Sequence, residues 1–334
     1  MTANVAVLGG GAWGTALAIH LVTRTHARPH VTLYMRSAAQ ARACAAEREN
    51  RRYLPGVPLP PALAITSNLA QARAGVLFAA TPVAELAALR AALDDARVHA
   101  PLVSLAKGFV ADPANAGGWT LQHRVLAAAW RHPVGTVSGP TFAIEVARGL
   151  PTALVVATTD ATLTADVAQL LRGETLRAYP SDDLAGVEVG GAVKNVLAIA
   201  AGISDGLGFG DNARAALITR GLAESGRLSA ALGGRPRTLT GLAGLGDLVL
   251  TCTSNQSRNR RVGLALAHGE SLASVLAGIG HVAEGVSATR AARALALHHG
   301  VDMPIVGAVH RVLHERVAAR DAVLALLARE PRGE

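Results

Sequence analysis

The chain has 334 residues, 50% hydrophobic and 17% charged, which is long enough for two globular domains with sizeable cores. Its net charge is +8, but the arginines are spread along the chain without interleaved aromatic residues, which favours a small anionic substrate over nucleic acid. Two widely separated cysteines fit no metal site and favour a reducing compartment, so we expect a cytoplasmic protein without a metal. The scattered arginines also predict no nucleic-acid partner, and the lack of a long uninterrupted apolar run predicts no membrane span.

The first predicted element is a buried strand over 5–8, followed directly by a glycine-rich turn and an apolar helix. Gly9, Gly11 and Gly14 form the spacing G-x-G-x-x-G. A strand, a glycine turn and a helix in this order are typical of a Rossmann-type dinucleotide site, where the backbone approaches a pyrophosphate at the helix N-terminus. The motif alone also fits a plain tight turn, but in this context it predicts a nucleotide site.

The end of the second predicted strand, over 30–35, bears on the choice of cofactor. A site selective for NAD places an acidic residue there, about 20 residues beyond the glycines, to bind the ribose 2′-hydroxyl. This chain has Arg36 at that point, and its first acidic residue is Glu47. We therefore expect NADPH to be preferred over NADH, unless Arg36 is simply a surface residue.

Strands and helices alternate as far as residue 181, which predicts an α/β fold with a mostly parallel sheet. Lys107 follows the strand pattern at 101–106, and ligands of such sheets bind at the carboxyl ends of the strands. Lys107 should therefore face the cofactor crevice. Only helical patterns occur later, so we predict a dinucleotide-binding domain over 1–181 and an all-helical, substrate-binding C-terminal domain over 182–334.

The chain contains only two lysines, Lys107 and Lys194, among 32 basic residues. Arginine stays protonated, whereas the pKa of a desolvated lysine can shift into the working range, so both lysines are candidates for proton chemistry. Lys194 lies in an apolar helical pattern, as expected of a helix that faces a cleft. The alternative is that both lysines are solvated surface residues.

Two further polar features lie in the helical half. Asp247 follows several glycines that would let a ligand approach, although it could equally be an ordinary helix cap. Residues 257–259, Ser-Arg-Asn, offer a hydroxyl, a guanidinium and an amide at a predicted helix start, which suits a phosphate group. The arginines that follow, Arg260 and Arg261, are expected to be solvated.

Together these motifs resemble the bacterial NAD(P)-dependent glycerol-3-phosphate dehydrogenase family along essentially the whole chain. Seven blocks carry the resemblance in the family's order: residues 9–15, 106–108, 138–143, 190–195, 204–210, 241–247 and 257–261. The resemblance implies a Rossmann-type domain and a helical domain, usually in a homodimer. It also implies reversible hydride transfer from NADPH or NADH to dihydroxyacetone phosphate, giving sn-glycerol 3-phosphate for glycerophospholipid synthesis.

The resemblance assigns roles to individual positions, with Lys194 matching the family's proton acceptor and with Lys107 and Asp247 as further active-site groups. The matched substrate-binding positions are Lys107, Gly139, Thr141, Lys194, Asn195, Asp247, Ser257, Arg258 and Asn259. The matched cofactor-binding positions are Gly9, Gly11, Ala12, Trp13, Gly14, Arg36, Lys107, Ala143, Arg258, Val282 and Glu284. Many members of the family carry serine where this chain has Ala12, so one side-chain contact to the phosphates is not accounted for.

In this interpretation the Lys194 ammonium donates a proton to the developing alkoxide, and the neutral amine accepts one in the reverse direction. Lys107 nearby would lower the pKa of Lys194, and Asp247 would hold the ammonium form. Two alternatives stay open: a related two-domain NADPH-dependent reductase of another hydroxyacid, and an NADPH-sensing protein that binds nucleic acid. The phosphate site distinguishes a glycerol-3-phosphate dehydrogenase from the first alternative. The second alternative would not need the lysine pair.

Overall fold

The computed structural model of the chain describes residues 4–115, 117–279 and 283–329. The chain divides into two compact units. The first unit contains Met1–Lys107 and Gln122–Leu184, and the second contains Gly108–Leu121 and Ala185–Glu334.

This division differs from the predicted domains 1–181 and 182–334 chiefly in the segment Gly108–Leu121. The segment forms a short antiparallel strand pair, and its Phe109 and Leu121 are buried in the apolar core of the helical unit. It therefore contributes to the second unit although it interrupts the sequence of the first.

The first unit is built on an eight-stranded sheet, counted over the described residues, in the order β3-β2-β1-β4-β5-β6-β7-β8. The strands are β1 Asn4–Leu8, β2 His30–Tyr34, β3 Ala64–Thr66, β4 Val76–Ala79, β5 Leu102–Ser104, β6 Val134–Ser138, β7 Thr152–Thr158 and β8 Leu176–Ser181. All neighbouring strands are parallel except β6 and β7. The first six strands follow the Rossmann order 3-2-1-4-5-6, which confirms the predicted mostly parallel sheet.

Helices connect most of these strands. They are α1 Ala12–Thr23, α2 Ala38–Glu47, α3 Leu86–Asp95, α4 Gln122–Ala129, α5 Ala143–Arg148 and α6 Ala161–Leu171. A further small strand pair, Glu49–Asn50 with Leu54–Pro58, lies after α2. Strands β1, β4 and β6 are buried almost throughout, as expected of parallel strands with both faces covered, and their apolar side chains pack with Leu17 of α1 and Leu33 of β2.

The second unit is helical, and in the described residues no strand follows Ser181. Its helices are α7 Leu184–Gly206, α8 Gly210–Ala231, α9 Pro236–Leu239, α10 Asp247–Thr253, α11 Arg258–Ala267, α12 Leu272–Ile279, α13 Glu284–His298, α14 Pro304–His314 and α15 Ala319–Leu327. A short π-helical segment, Leu242–Gly246, joins α9 to α10. The predicted all-helical C-terminal region is confirmed.

Helix α7 is the core helix of this unit, because every residue from 186 to 204 is buried. A helix that is apolar on all sides can be stable only when it is surrounded by protein or lipid. By length and composition α7 could cross a membrane, but 89% of its apolar window is buried inside the protein. Its burial is that of a core helix.

Helices α7 and α11 pack backbone against backbone. A Cβ atom at Gly202 of α7 would collide with the carbonyl oxygen of Arg260, and one at Gly263 of α11 would collide with that of Ile199. The two glycines allow this close approach, which brings the C-terminal half of α7 next to the first turns of α11.

Candidate active site

The glycine turn between β1 and α1 is shaped to receive a phosphate group. Gly9 has φ of +131°, where a Cβ would lie 2.5 Å from the carbonyl oxygen of Ala80 after β4. Gly11 is the N-cap of α1 and has no side chain to cap the helix, and no described atom lies within 4 Å of the place its Cβ would take. The first N–H groups of α1 can therefore bind an anion.

Two side-chain amides hold this turn in place. The side-chain nitrogens of Gln40 and Asn50 donate to the carbonyl oxygen of Gly10 over 2.8 and 2.9 Å. Asn50, which is 1% exposed, also donates to the Thr15 hydroxyl over 2.8 Å. The Gly10 carbonyl is thus held by Gln40 and Asn50, and the turn is fixed before any ligand binds. The sequence pattern had not indicated either residue.

Arg36 lies just beyond β2, as predicted, but it has a carboxylate partner. Its Nη1 donates to Oε2 of Glu85 over 2.8 Å, and both side chains are exposed. Glu85 ends a 3₁₀ turn, Val83–Glu85, that follows β4. The sequence lacks an acidic residue at the end of β2, but the fold supplies one from the neighbourhood of β4.

Lys107 lies at the carboxyl end of the sheet, following β5. Its Nζ donates to the carbonyl oxygen of Gly139 over 3.1 Å, and the Thr141 hydroxyl donates to the same oxygen over 3.1 Å. Gly139 and Thr141 follow the adjacent strand β6. The structure therefore brings these three predicted residues together, and Ser138 beside them has a buried hydroxyl with no hydrogen-bond partner in the described chain.

Lys194 is buried in the middle of α7 with a residue exposure of 8%, so the prediction of a desolvated lysine is confirmed. Its Nζ donates to Oδ1 of Asp247, a residue that is 1% exposed, and to the Thr251 hydroxyl over 3.0 Å. The Thr251 hydroxyl in turn donates to the carbonyl oxygen of Asp247 over 2.6 Å. The ammonium group is therefore fixed by a carboxylate and a hydroxyl from one helix.

The π-helical segment before α10 places Asp247 at the first position of that helix. A carboxylate is favoured at a helix N-terminus because the first N–H groups carry partial positive charge. Thr251 lies one turn later on the same side of α10. Sequence reasoning missed Thr251, although its i+4 spacing from Asp247 could have indicated it.

Asn195, next to Lys194, connects α7 to the start of α11. Its Oδ1 accepts a bond from Nδ2 of Asn259 over 2.9 Å, and Oδ1 of Asn259 accepts the backbone N–H of Gly285 over 3.0 Å. Nδ2 of Asn195 is buried and has no hydrogen-bond partner in the described ranges. A buried donor of this kind beside the lysine suits a substrate oxygen.

Ser257 is the N-cap of α11, as its position in the sequence predicts, and its hydroxyl accepts the N–H of Arg260 over 3.2 Å. Arg258 and Arg261 are exposed. The prediction that Arg260 is solvated was wrong, because its residue exposure is 8% and its guanidinium is bound to Asp205. Position at a helix start did not reveal this burial because the partner lies in a different helix.

Neither cysteine is suited to act as a nucleophile. Cys44 and Cys252 are both buried, and burial raises the pKa of the Cys252 thiol to about 12. No cluster of histidine, cysteine or acidic residues in the described part of the chain could hold a metal ion. The candidate chemistry therefore centres on the lysines.

The chain matches two models of one protein family, one in each half of the sequence. The family model for the N-terminal part of NAD-dependent glycerol-3-phosphate dehydrogenase matches residues 4–164. The model for the C-terminal part of the same enzyme matches residues 183–324. The chain belongs to this family. It is therefore an oxidoreductase of the NAD(P)-dependent glycerol-3-phosphate dehydrogenase family, whose members use NADPH or NADH.

Individual relatives match over the full length. Glycerol-3-phosphate dehydrogenase, NAD(P)+, of Aromatoleum aromaticum is 50% identical over 99% of this chain and 100% of that protein. The protein of the same name from Janthinobacterium sp. (strain Marseille) is 51% identical over 99% of both. The crystal structure of glycerol-3-phosphate dehydrogenase from Coxiella burnetii has a TM-score of 0.91 and 41% identity, covering 98% of this chain and 99% of that one.

The remaining positions that the glycerol-3-phosphate dehydrogenase family implies fall in both units. Ala12 and Trp13 begin α1, and Ala143 begins α5, with Trp13 and Ala143 packing against the sheet core. Glu284 is the first residue of α13, next to the Gly285 that binds Asn259. Val282 lies outside the described residues.

Proposed function

We propose that the chain transfers hydride reversibly between NADPH or NADH and dihydroxyacetone phosphate, with Lys194 as the acid and base. The observation that carries this proposal is the buried ammonium of Lys194, held by Asp247 and Thr251, in a chain of the glycerol-3-phosphate dehydrogenase family. The bound nicotinamide cofactor supplies the hydride. A carbonyl that receives it develops negative charge on its oxygen, which needs a proton donor.

Lys194 suits that proton transfer in both directions. The Asp247 carboxylate stabilises its ammonium form, and the shared contact with Thr251 fixes the position of Nζ. In the oxidative direction the neutral amine would accept the proton from the substrate hydroxyl. The roles of Lys107 beside Lys194, and of Asn195 as a substrate contact, remain part of the proposal.

The start of α11 is the proposed site of the substrate phosphate. Ser257 contributes a hydroxyl, Arg258 an exposed guanidinium, and the first turn of the helix its backbone N–H groups. Asn259 binds Asn195 and Gly285 through its side chain, so its contribution to the phosphate would come from the backbone. Gly139 and Thr141 would contact the substrate from the first unit.

The glycine turn is the proposed site of the cofactor pyrophosphate, and its residues fit that group. The N-cap Gly11 has open space where a Cβ would lie, the first N–H groups of α1 are available to an anion, and Gln40 and Asn50 hold the turn rigid. Arg36 would bind the 2′-phosphate of NADPH in competition with Glu85. We assign Lys107, Ala143, Arg258, Val282 and Glu284 as further cofactor contacts.

The test of this function is a spectrophotometric assay of the purified protein with dihydroxyacetone phosphate. We expect NADPH oxidation, with slower oxidation of NADH, and the formation of sn-glycerol 3-phosphate in equal amount. The reverse reaction with sn-glycerol 3-phosphate and NADP⁺ serves as the check on stereochemistry. No oxidation of either cofactor would contradict the proposal.

We also propose that the protein acts in the cytoplasm as a homodimer and supplies sn-glycerol 3-phosphate to glycerophospholipid synthesis. The two buried free cysteines are compatible with a reducing compartment. Size-exclusion chromatography with light scattering would measure the mass in solution. A value near 34 kDa for the native protein would contradict the dimer.

A further inference from the structure

A buried ionic network joins the end of α7 to the beginning of α11. Oδ2 of Asp205 accepts bonds from Nε and Nη2 of Arg260 over 2.9 and 2.6 Å. Oδ1 of Asp205 accepts a bond from Nη1 of Arg214 over 2.9 Å, and Arg214 continues to Asp211. The side chains of Asp205 and Arg260 are only 8% and 10% exposed.

Arg260 uses each nitrogen of its guanidinium in protein contacts. While Nε and Nη2 bind Asp205, Nη1 donates to Oδ1 of Asn255 over 2.6 Å. Asn255 belongs to the loop just before the N-cap Ser257, whose hydroxyl accepts the N–H of Arg260. One side chain therefore fixes the loop, the cap and the first turn of α11 together.

The two charges lie at the ends of helices where the helix dipole disfavours them. Asp205 is in the last turn of α7, and Arg260 is in the first turn of α11. Helix stability alone would not place an acid and a base there, so the pairing between the two helices has to compensate. Because the guanidinium of Arg260 is bound to Asp205, it cannot also bind an anion, and the proposed phosphate site uses the exposed Arg258 instead.

We propose that Asp205 and Arg260 are positioning residues that set the phosphate site of α11 relative to Lys194 on α7. The inference rests on the proposed function, in which Ser257, Arg258 and the first N–H groups of α11 bind the substrate phosphate. In addition to their backbone contact, α7 and α11 are joined by two side-chain pairs, Asn195 with Asn259 near the lysine and Asp205 with Arg260 at the helix end. Their joint effect is a fixed separation between the proton donor and the phosphate anchor.

The distance between Lys194 and the phosphate site matters because the substrate is a short molecule that has to reach both. Its carbonyl has to face Lys194 while its phosphate occupies the start of α11, and small misplacements of reacting groups reduce rates strongly. A buried network whose side chains can hardly rotate can hold this geometry, whereas an exposed ion pair would not. Dihydroxyacetone phosphate would therefore be selected by distance as well as by charge.

The test compares Arg260→Lys, which keeps the charge and loses the fork, with Asp205→Asn, which keeps the shape and loses the charge. Arg261→Lys is the matched control, since it makes the same change at the next, exposed position. We expect the first two variants to raise KM for dihydroxyacetone phosphate by roughly tenfold. KM for NADPH, to whose proposed site this turn of α11 contributes Arg258 alone, should rise by no more than about twofold, and Arg261→Lys should match the native protein.

Calorimetric titration with inorganic phosphate gives a second readout that needs no turnover. We expect its affinity to fall in Arg260→Lys and Asp205→Asn in parallel with KM, at an unchanged circular dichroism spectrum. Asn255→Ala, which removes one contact of the loop, provides a milder variant should the buried substitutions prevent folding, and it should shift phosphate affinity in the same direction.

Unchanged phosphate affinity and KM in folded variants would overturn the inference, and so would an equal rise of KM for NADPH, which would indicate a general loss of structure. If the native protein binds phosphate but shows no turnover, the proposed function fails while the titration still tests the positioning role. A native protein that binds no phosphate would overturn the inference directly.

Discussion

The surroundings of the Lys194 ammonium suit a lysine and not an arginine. It lies in the buried part of α7 against the Asp247 carboxylate and the Thr251 hydroxyl. An arginine there would keep the charge but could not release a proton near neutral pH. We expect Lys194→Arg to lower turnover with dihydroxyacetone phosphate by ~10²-fold or more, measured at saturating substrate.

The control for that variant is the cofactor affinity, measured by NADPH fluorescence. The glycine turn that would bind NADPH belongs to the first unit, so its affinity should change by less than about twofold. Near-normal turnover in Lys194→Arg would remove the lysine from the acid–base role.

Glu85 is expected to limit the preference for NADPH. Its carboxylate binds the exposed Arg36, so a 2′-phosphate has to displace it and also meets its negative charge. Exposed ion pairs contribute at most about 1 kcal/mol, so Glu85→Gln should strengthen NADPH binding by roughly two- to fivefold and leave NADH unchanged. Glu47→Gln, at another exposed carboxylate with an arginine partner, is the control. Equal changes for both cofactors would contradict this role.

Single residues also show where sequence patterns stop being informative. Lys194 was identified by its rarity and Asp247 by its glycine-rich setting, but 53 residues separate them and no spacing rule joins them. For the same reason the pairing of Arg36 with Glu85 and the burial of Arg260 could not be predicted. Each depends on a partner that only the folded chain brings near.

At the level of elements, the contact between α7 and α11 leaves no space for a side chain. A Cβ at Gly263 would lie 2.7 Å from the backbone nitrogen of Ile203. This contact is too short, so the backbone of α7 would have to move away. We expect Gly263→Ala to destabilise the protein by about 1–3 kcal/mol, since overpacked helix contacts cost that much. Thermal unfolding measures the effect.

Gly226 provides the matched control, because it also lies inside a helix but has no atom of the described chain within 4 Å of its Cβ position. Gly226→Ala should stabilise the protein by about 0.5–1 kcal/mol through helix propensity alone. If both substitutions stabilise, the two helices are not in the close contact described.

The contact between α8 and α14 contains a buried carboxylate. Glu224 of α8 is 2% exposed and accepts the backbone N–H groups of Ile305 and Val306. Burial raises the pKa of Glu224 to about 7, with the N–H bonds and Arg227 opposing this and Asp302 adding to it. The folded state therefore binds a proton that the unfolded chain releases at lower pH.

The stabilising effect of this protonation is complete below pH 4.5, the ordinary pKa, and is lost as the pH rises through about 7. Over that interval it amounts to about 3 kcal/mol. Glu224→Gln cannot ionise, so relative to the native protein it should gain stability between pH 5 and pH 8, as measured by thermal unfolding. The exposed Glu270→Gln should show no such trend, and parallel curves for Glu224→Gln would contradict the prediction.

The alternation of strands and helices was predicted better than the short segments between them. Strand β1, predicted over 5–8, lies close to its predicted position, and the apolar helix predicted after the glycine turn is α1. Strand β3 has three residues and gave no pattern, and Gly108–Leu121 could not be assigned to the helical unit from its position in the sequence. Short segments carry too few residues for a period to be read, so their place is decided by packing.

For the whole molecule, the fold class followed from the order of strands, glycines and helices, whereas the predicted site residues fall in two separate groups, one in each unit. The first unit brings together Lys107, Gly139 and Thr141, and the second brings together Lys194, Asp247, Asn195 and Asn259. The expected closeness of Lys107 to Lys194 stays a prediction. Local patterns predict the residues of each group, but the distance between residues of different units has no local signal.

The burial of Lys194 has a practical consequence for chemical labelling of the protein. With two lysines in 334 residues, acylating reagents have few targets besides the α-amino group. We expect dilute acetic anhydride to acetylate the half-buried Lys107 well before Lys194, as peptide mass spectrometry would show, and equal rates would contradict the burial described. Amine coupling would thus reach the proposed substrate site early, and both thiols are buried. Attachment of a dye or a solid support therefore requires a cysteine introduced on the surface.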